Sequence, residues 1–113
     1  MFDLAVVGGL LVSGRRVIRG DVAIADGTIA QQGVIDPDRA REVIDATGML
    51  VLPGAVDEHV HPIYLDDAGA TSIAAAPGGT TTMLVYAYAK PGMALDEAVE
   101  EMILHASSAS ILD

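Results

Sequence analysis

The hydrophobic period of this chain changes at Pro53-Gly54, and that change limits the folds open to it. Before the break, short apolar runs are punctuated by glycine-containing turns. After it, strand-like runs alternate with helical ones. Residues 1–52 read as a meander of small antiparallel strands. Segments 4–7 and 10–12 flank Gly8-Gly9, a two-residue hairpin signal, and Ser13-Gly14 marks another turn. Segments 22–25 and 28–30 flank Asp26-Gly27, residues that accept the positive φ angles of a type I′ turn. Segments 43–45 and 49–52 flank Ala46-Thr47-Gly48. Asp36-Pro37-Asp38 opens a connecting loop or a short turn of helix. Arg15-Arg16 reads as a charged hairpin edge that discourages unwanted pairing.

Beyond the break, residues 55–60 predict a strand. Asp66 or Asp67 can cap an Ala-rich helix reaching about Ala76, and Pro77-Gly78-Gly79 stops it. Residues 80–85 predict a second strand, and Lys90-Pro91-Gly92 a turn. Leu95, Ala98, Val99, Met102, Ile103 and Ala106 then fall on one face of a helix. Asp96 and Glu97 suit the dipole of its first turn, residues 107–110 end it, and Ile111-Leu112 can open a third strand. The order β-α-β-α implies parallel strands with right-handed crossovers. The fold class expected is α/β with an all-β N-terminal part, divided into residues 1–52 and 53–113. Two or three parallel strands cannot close a barrel, which takes roughly 250 residues. The chain therefore reads as unfinished at Asp113.

Charge and composition exclude several function classes. Six basic residues against sixteen acidic ones give a net charge of −10. Such a surface disfavours nucleic acid and anionic membranes alike. Without cysteine there is neither a disulfide framework nor a thiolate metal site. The first residues lack the basic start of a signal peptide, and the apolar run 4–12 is too short for a bilayer and is broken by glycines. The expectation is a soluble, cytoplasmic protein.

The chemistry concentrates in Asp57-Glu58-His59-Val60-His61. Residues two apart on a strand share a face, so Asp57, His59 and His61 lie together. Two neutral imidazoles so placed can reach one zinc-sized cation, and a carboxylate beside them can orient a ring or hold a proton. His59 and His61 are thus candidate metal ligands. Asp57 is a candidate to support a liganding ring rather than to bind metal, or a plain strand-end turn residue. The competing reading of the pair is two hydrogen-bonded histidines on a half-buried strand. Two imidazoles alone leave a four-coordinate ion half empty.

Other residues favour structural roles. Asp66-Asp67 reads as a helix cap, with a substrate contact as the alternative. Gly78-Gly79 reads as a helix stop rather than a phosphate cradle, because no helix N-terminus follows. His105 reads as a solvated residue one turn after Glu101. Tyr64 reads equally as the lining of a pocket mouth or as a packed surface tyrosine.

Several longer stretches accompany the His-x-His motif. They are residues 2–30 with their Asp26-Gly27-Thr28-Ile29 turn, and residues 42–54 leading into the motif. Gly78-Gly79-Thr80-Thr81-Thr82 follows it, as does Tyr88-Ala89-Lys90-Pro91-Gly92 with the helix after it and Ile111-Leu112-Asp113. Together with residues 53–61 they resemble the N-terminal portion of the amidohydrolase superfamily. Within it the match is to the cyclic-amidase branch of hydantoinase (dihydropyrimidinase), allantoinase and dihydroorotase. The resemblance implies part of a small β-sandwich followed by the first β-α-β-α units of an incomplete (β/α)8 TIM-like barrel. It implies that His59 and His61 close barrel strand 1 as ligands of a mononuclear or binuclear zinc site, where metal-activated water attacks a ring amide. The remaining ligands of such sites are a carboxylated lysine, two histidines and an aspartate that also serves as base, all on later strands. Lys90 and His105 lie in the wrong elements to supply them. The short segment 62–65 leaves the particular cyclic amide open.

Three functions follow. The first is the N-terminal portion of a metal-dependent cyclic amidohydrolase, inert by itself, forming a homo-oligomer or awaiting a C-terminal complement. The second is a truncated, non-catalytic relative that acts as an assembly or interaction module. The third is a small self-sufficient metal domain, which needs further ligands from Asp57 and Asp66 or Asp67.

Overall fold

The computed structural model describes residues 1–62 and 67–113. Contacts divide it into two units, Met1–Pro53 and Gly54–Asp113. Tyr64 and Asp66, considered above as pocket lining and helix cap, lie outside the described residues.

The first unit is a five-stranded sheet built on β1 (Phe2–Ser13), β2 (Arg16–Ala25), β3 (Thr28–Gly33), β4 (Ala40–Asp45) and β5 (Leu50–Val51). The strands β3, β2 and β1 form the antiparallel meander expected. Arg16 pairs with Ser13 across the first turn. In the second turn Asp26 and Gly27 adopt φ of +50° and +72°, as a type I′ turn requires.

Two expectations are corrected. Gly8-Gly9 is not a hairpin turn, because β1 runs straight through it and its register against β2 shifts between Val6 and Gly9. Gly8 takes φ +76°, and a Cβ on Gly9 would lie 2.6 Å from Val51 Cγ2. The glycines form a bulge at which β1 changes partners, from β4 (Phe2 to Val7) to β5 (Leu10 and Leu11). Both of those partners lie parallel to β1, so the last two strands do not continue the antiparallel meander. The cause is the connection 34–39, which carries the chain past Ala5 and Ala23 to the far edge of β1. Ile35 is buried there with those two alanines, and Phe2, Val7 and Ala40 pack against the cluster. Asp36 caps the one-turn 3-10 helix Pro37–Arg39 within this connection, the helical alternative of the two expected.

Asp21 fastens both irregular segments. One carboxylate oxygen accepts the N–H of Gly8 at 2.8 Å and the other that of Ile35 at 2.9 Å. These two bonds hold its carboxyl below the ordinary carboxylate value despite some burial. Asp45 is lowered likewise, by the hydroxyl and then the N–H of Thr47.

The second unit runs β6 (Ala55–Val60), α1 (Ala68–Ala75), β7 (Thr80–Val85) and α2 (Leu95–Ala109), with β6 and β7 parallel as expected. Asp67 caps α1 by accepting the Ala70 N–H at 2.8 Å. Gly79 ends the following turn in the left-handed region, at φ +89°. The N–H of Met93 closes the Lys90-Pro91-Gly92 turn on the Lys90 carbonyl at 2.9 Å. Of the apolar face of α2, Ala98 is buried, and Met102 and Ala106 are half-buried. Leu95, Val99 and Ile103 stay exposed. The third strand expected at Ile111-Leu112 is not formed among the described residues; the backbone of Asp113 alone bonds to β7, donating to Thr81 and accepting from Met83. Among the described residues, no helix is long and apolar enough to cross a membrane.

Ser72 ties α1 to the segment after α2. It is fully buried, its hydroxyl donates to the Gly69 carbonyl at 2.7 Å, and it accepts the Ile111 N–H at 3.0 Å. Ser72→Ala strands that N–H and should cost about 1–2 kcal/mol. Urea unfolding followed by circular dichroism reads the loss, and an unchanged midpoint would show that the bond is dispensable.

Candidate metal centre

The site begins with an irregularity in β6. Pairing with β7 slips between Asp57 and Val60, where β6 carries one more residue than its partner. Asp57 Oδ1 accepts the backbone N–H of His59 at 3.1 Å across this bulge. Such a bulge re-aims the side chains that follow it. Here His59 and His61 converge, with their Nε2 atoms 2.7 Å apart and ring centroids 4.7 Å apart. The observed contact of Asp57 is thus with the backbone that carries His59, the role of a strand-end turn residue.

The parallel pairing brings in a second strand end. Val60 pairs with Val85, and the Tyr86 N–H donates to the Val60 carbonyl at 2.9 Å. The chain leaving β7 therefore runs beside His61. Tyr86 stacks on the His61 ring, with planes 7° apart and centroids separated by 4.5 Å. It also leans against His59 at 4.7 Å. Two residues on, the Tyr88 hydroxyl meets His61 Nδ1. Neither tyrosine is expected at the site from the sequence, where Tyr88 figures only as the first residue of the Tyr88-Ala89-Lys90-Pro91-Gly92 stretch. The signal was Tyr86-Ala87-Tyr88, the same alternation as His-x-His on the strand that starts at Gly-Gly-Thr-Thr.

The donor set tests whether zinc fits. The two Nε2 atoms lie within hydrogen-bond distance of each other, and the pair is open to solvent. Around a tetrahedral zinc, two nitrogens sit roughly 3.3 Å apart, so the rings need to part by about half an ångström. Among the described residues no third histidine, aspartate or glutamate completes a cluster. Asp67 is engaged as a cap, and the Lys90 ammonium lies 3.8 Å from Glu101. His105 is exposed on α2 and takes no part. Two imidazoles would fill half of a four-coordinate site, and among the described residues no further ligand joins them for the self-sufficient metal domain considered above, whose other candidate Asp66 lies outside those residues.

No family model matches the chain. Individual proteins do. It is 34% identical to the D-hydantoinase of Geobacillus stearothermophilus over 115 residues, 96% of this chain and 24% of that one. It is 46% identical to the allantoinase of Rubrobacter xylanophilus over 88 residues, 71% of this chain and 18% of that one. A solved D-hydantoinase structure superposes with a TM-score of 0.89 at 33% identity, covering 98% of this chain and 26% of that one. The chain spans about a quarter of the length of the D-hydantoinase relative it matches.

Proposed function

From the premise that this chain is homologous to the N-terminal quarter of the cyclic amidohydrolases, the branch of hydantoinase, dihydropyrimidinase, allantoinase and dihydroorotase, we propose that it is the N-terminal portion of a metal-dependent hydrolase that opens C–N bonds of cyclic amides. Substrates of hydantoin or dihydropyrimidine type fit the names of its relatives. In this reading the Met1–Pro53 sheet is part of a small β-sandwich, and the β-α-β-α unit starts a (β/α)8 barrel. Strand 1 of that barrel ends at the histidines, the end where barrel enzymes place their chemistry.

The observation that carries the reading is the approach of the His59 and His61 Nε2 atoms to 2.7 Å of one another beside the end of β6. Those two nitrogens would hold the zinc. When bound, the ion supplies an activated water and polarises the ring carbonyl. Asp57 fixes the backbone from which His59 projects. The remaining ligands would come from later strands of the same enzyme, a C-terminal complement to this portion, which is otherwise expected to form a homo-oligomer; the substrate is a small cyclic amide.

Two measurements test this. Zinc titrated into the 15N-labelled chain should shift the ring nitrogens of His59 and His61, and the double variant His59→Ala/His61→Ala should lose at least about tenfold in affinity. Equal affinity in the two proteins would remove the histidines from the metal site. The 113-residue chain with zinc should leave hydantoin and dihydrouracil intact. Ring opening by it would show that half a ligand set suffices.

A further inference from the structure

We propose that Tyr88 and Tyr86 are positioning residues for His61. Tyr88 would accept a hydrogen bond from Nδ1–H of that imidazole, and Tyr86 would fix its plane, so that the Nε2 lone pair is left free for a metal. This rests on the zinc reading above. A neutral imidazole carries one N–H, so binding through Nε2 requires the proton on Nδ1. Nδ1 of His61 faces the Tyr88 oxygen, a group able to accept a hydrogen bond from it. With that bond in place, His61 Nε2 is an acceptor, and the short Nε2 to Nε2 contact is supplied by a proton on His59. For His59 to face the ion through Nε2 as well, its single N–H has to shift to Nδ1, an exchange of tautomer with no net proton released.

Tyr86 does a separate task. Stacking at 7° and 4.5 Å leaves the His61 ring little freedom to twist about its own axis. Rotation within the plane is limited by Tyr88. Both restraints come from one strand end, because the parallel register of β6 on β7 sets Tyr86 beside His61 and the alternation repeats the contact at Tyr88. Tyr86 and Tyr88 are respectively 43% and 37% exposed, so neither is held there by burial in a core. Ligand histidines held from behind in this way lose about ten- to a hundredfold in metal affinity when the support is removed.

The test uses the labelled 113-residue chain and zinc alone. In the metal-free protein, 15N–1H long-range spectra should show His61 as the Nδ1–H tautomer, and Tyr88→Phe should move it toward Nε2–H. Zinc affinity should fall about tenfold or more in Tyr88→Phe. Tyr86→Leu should weaken zinc as well, while Tyr86→Phe, which keeps the ring face, should bind as the parent does. An unchanged His61 tautomer in Tyr88→Phe overturns the role of Tyr88, whatever zinc does. Zinc shifts that vanish with the histidine pair but survive Tyr88→Phe at full affinity overturn it too, and leave the metal reading intact. A parent chain that shows no zinc shift overturns both.

Discussion

Asp21→Asn should destabilise the Met1–Pro53 unit by about 2 kcal/mol and expose the Gly8 and Ile35 amides to exchange. The native carboxylate satisfies two backbone donors with its two oxygens. An asparagine has one carbonyl oxygen, so its amide nitrogen must face one of those donors. Gly8 sits in the bulge that lets β1 change partners, and Ile35 is the buried residue of the crossover. Losing either bond loosens a segment with no regular ladder to fall back on. The same bonds set a pH dependence. Asp21 is held below its ordinary value of 3.8. Its contribution is complete above that value and is lost as pH falls through the lower native one. The parent should therefore lose stability on acidification through the carboxylate range, and Asp21→Asn should lose less. Parallel pH profiles for the two proteins would show that the clamp carries no linkage.

Gly54→Ala should be the most damaging single change in the second unit, by about 1–3 kcal/mol. A Cβ there would overlap the side chain of Thr81 on β7, including its own Cβ, so no rotamer of Thr81 relieves the clash. The neighbouring Ala55 N–H bonds to the Gly79 carbonyl at 2.9 Å, and Thr81 accepts from Asp113 at 3.2 Å. One methyl group thus disturbs the start of both β6 and β7, where these bonds lie. The double variant Gly54→Ala/Thr81→Gly should recover part of the loss, with a coupling of about 1 kcal/mol or more. Strict additivity of the two losses, read from amide exchange at Ala55 and Met83, would place the cause in the backbone of Gly54 instead.

Where sequence and structure agree, the determinant is local. Asp26-Gly27 can adopt its turn whatever surrounds it, and Asp67 caps the helix that starts beside it. The apolar spacing of α2 is likewise carried by its own residues. The His59 and His61 pair was legible because two residues on one strand face need no partner to be neighbours. Gly8-Gly9 was misread because a hairpin turn and a bulge ask the same freedom of the backbone. What decides between them is Val51 and Ala46 packed over Gly9, some forty residues away. The direction of β4 and β5 depends on Ile35 choosing Ala5 and Ala23 as its bed, which no local period encodes. The place of Tyr86 and Tyr88 at the site is not legible for a related reason. Their place beside His61 follows from the β6–β7 register, and register between strands twenty residues apart is not written in either strand alone.

The partner change along β1 has a consequence for how the chain emerges from a ribosome. Leu11 can meet Ile18 as soon as the first hairpin is made, whereas Phe2 waits for Ala40 and Leu10 for Leu50. Throughout that interval one flank of the longest strand is an open row of amides and carbonyls, available to any extended segment in reach. Translation speed across residues 34–50 therefore sets how long nascent chains can pair with one another there.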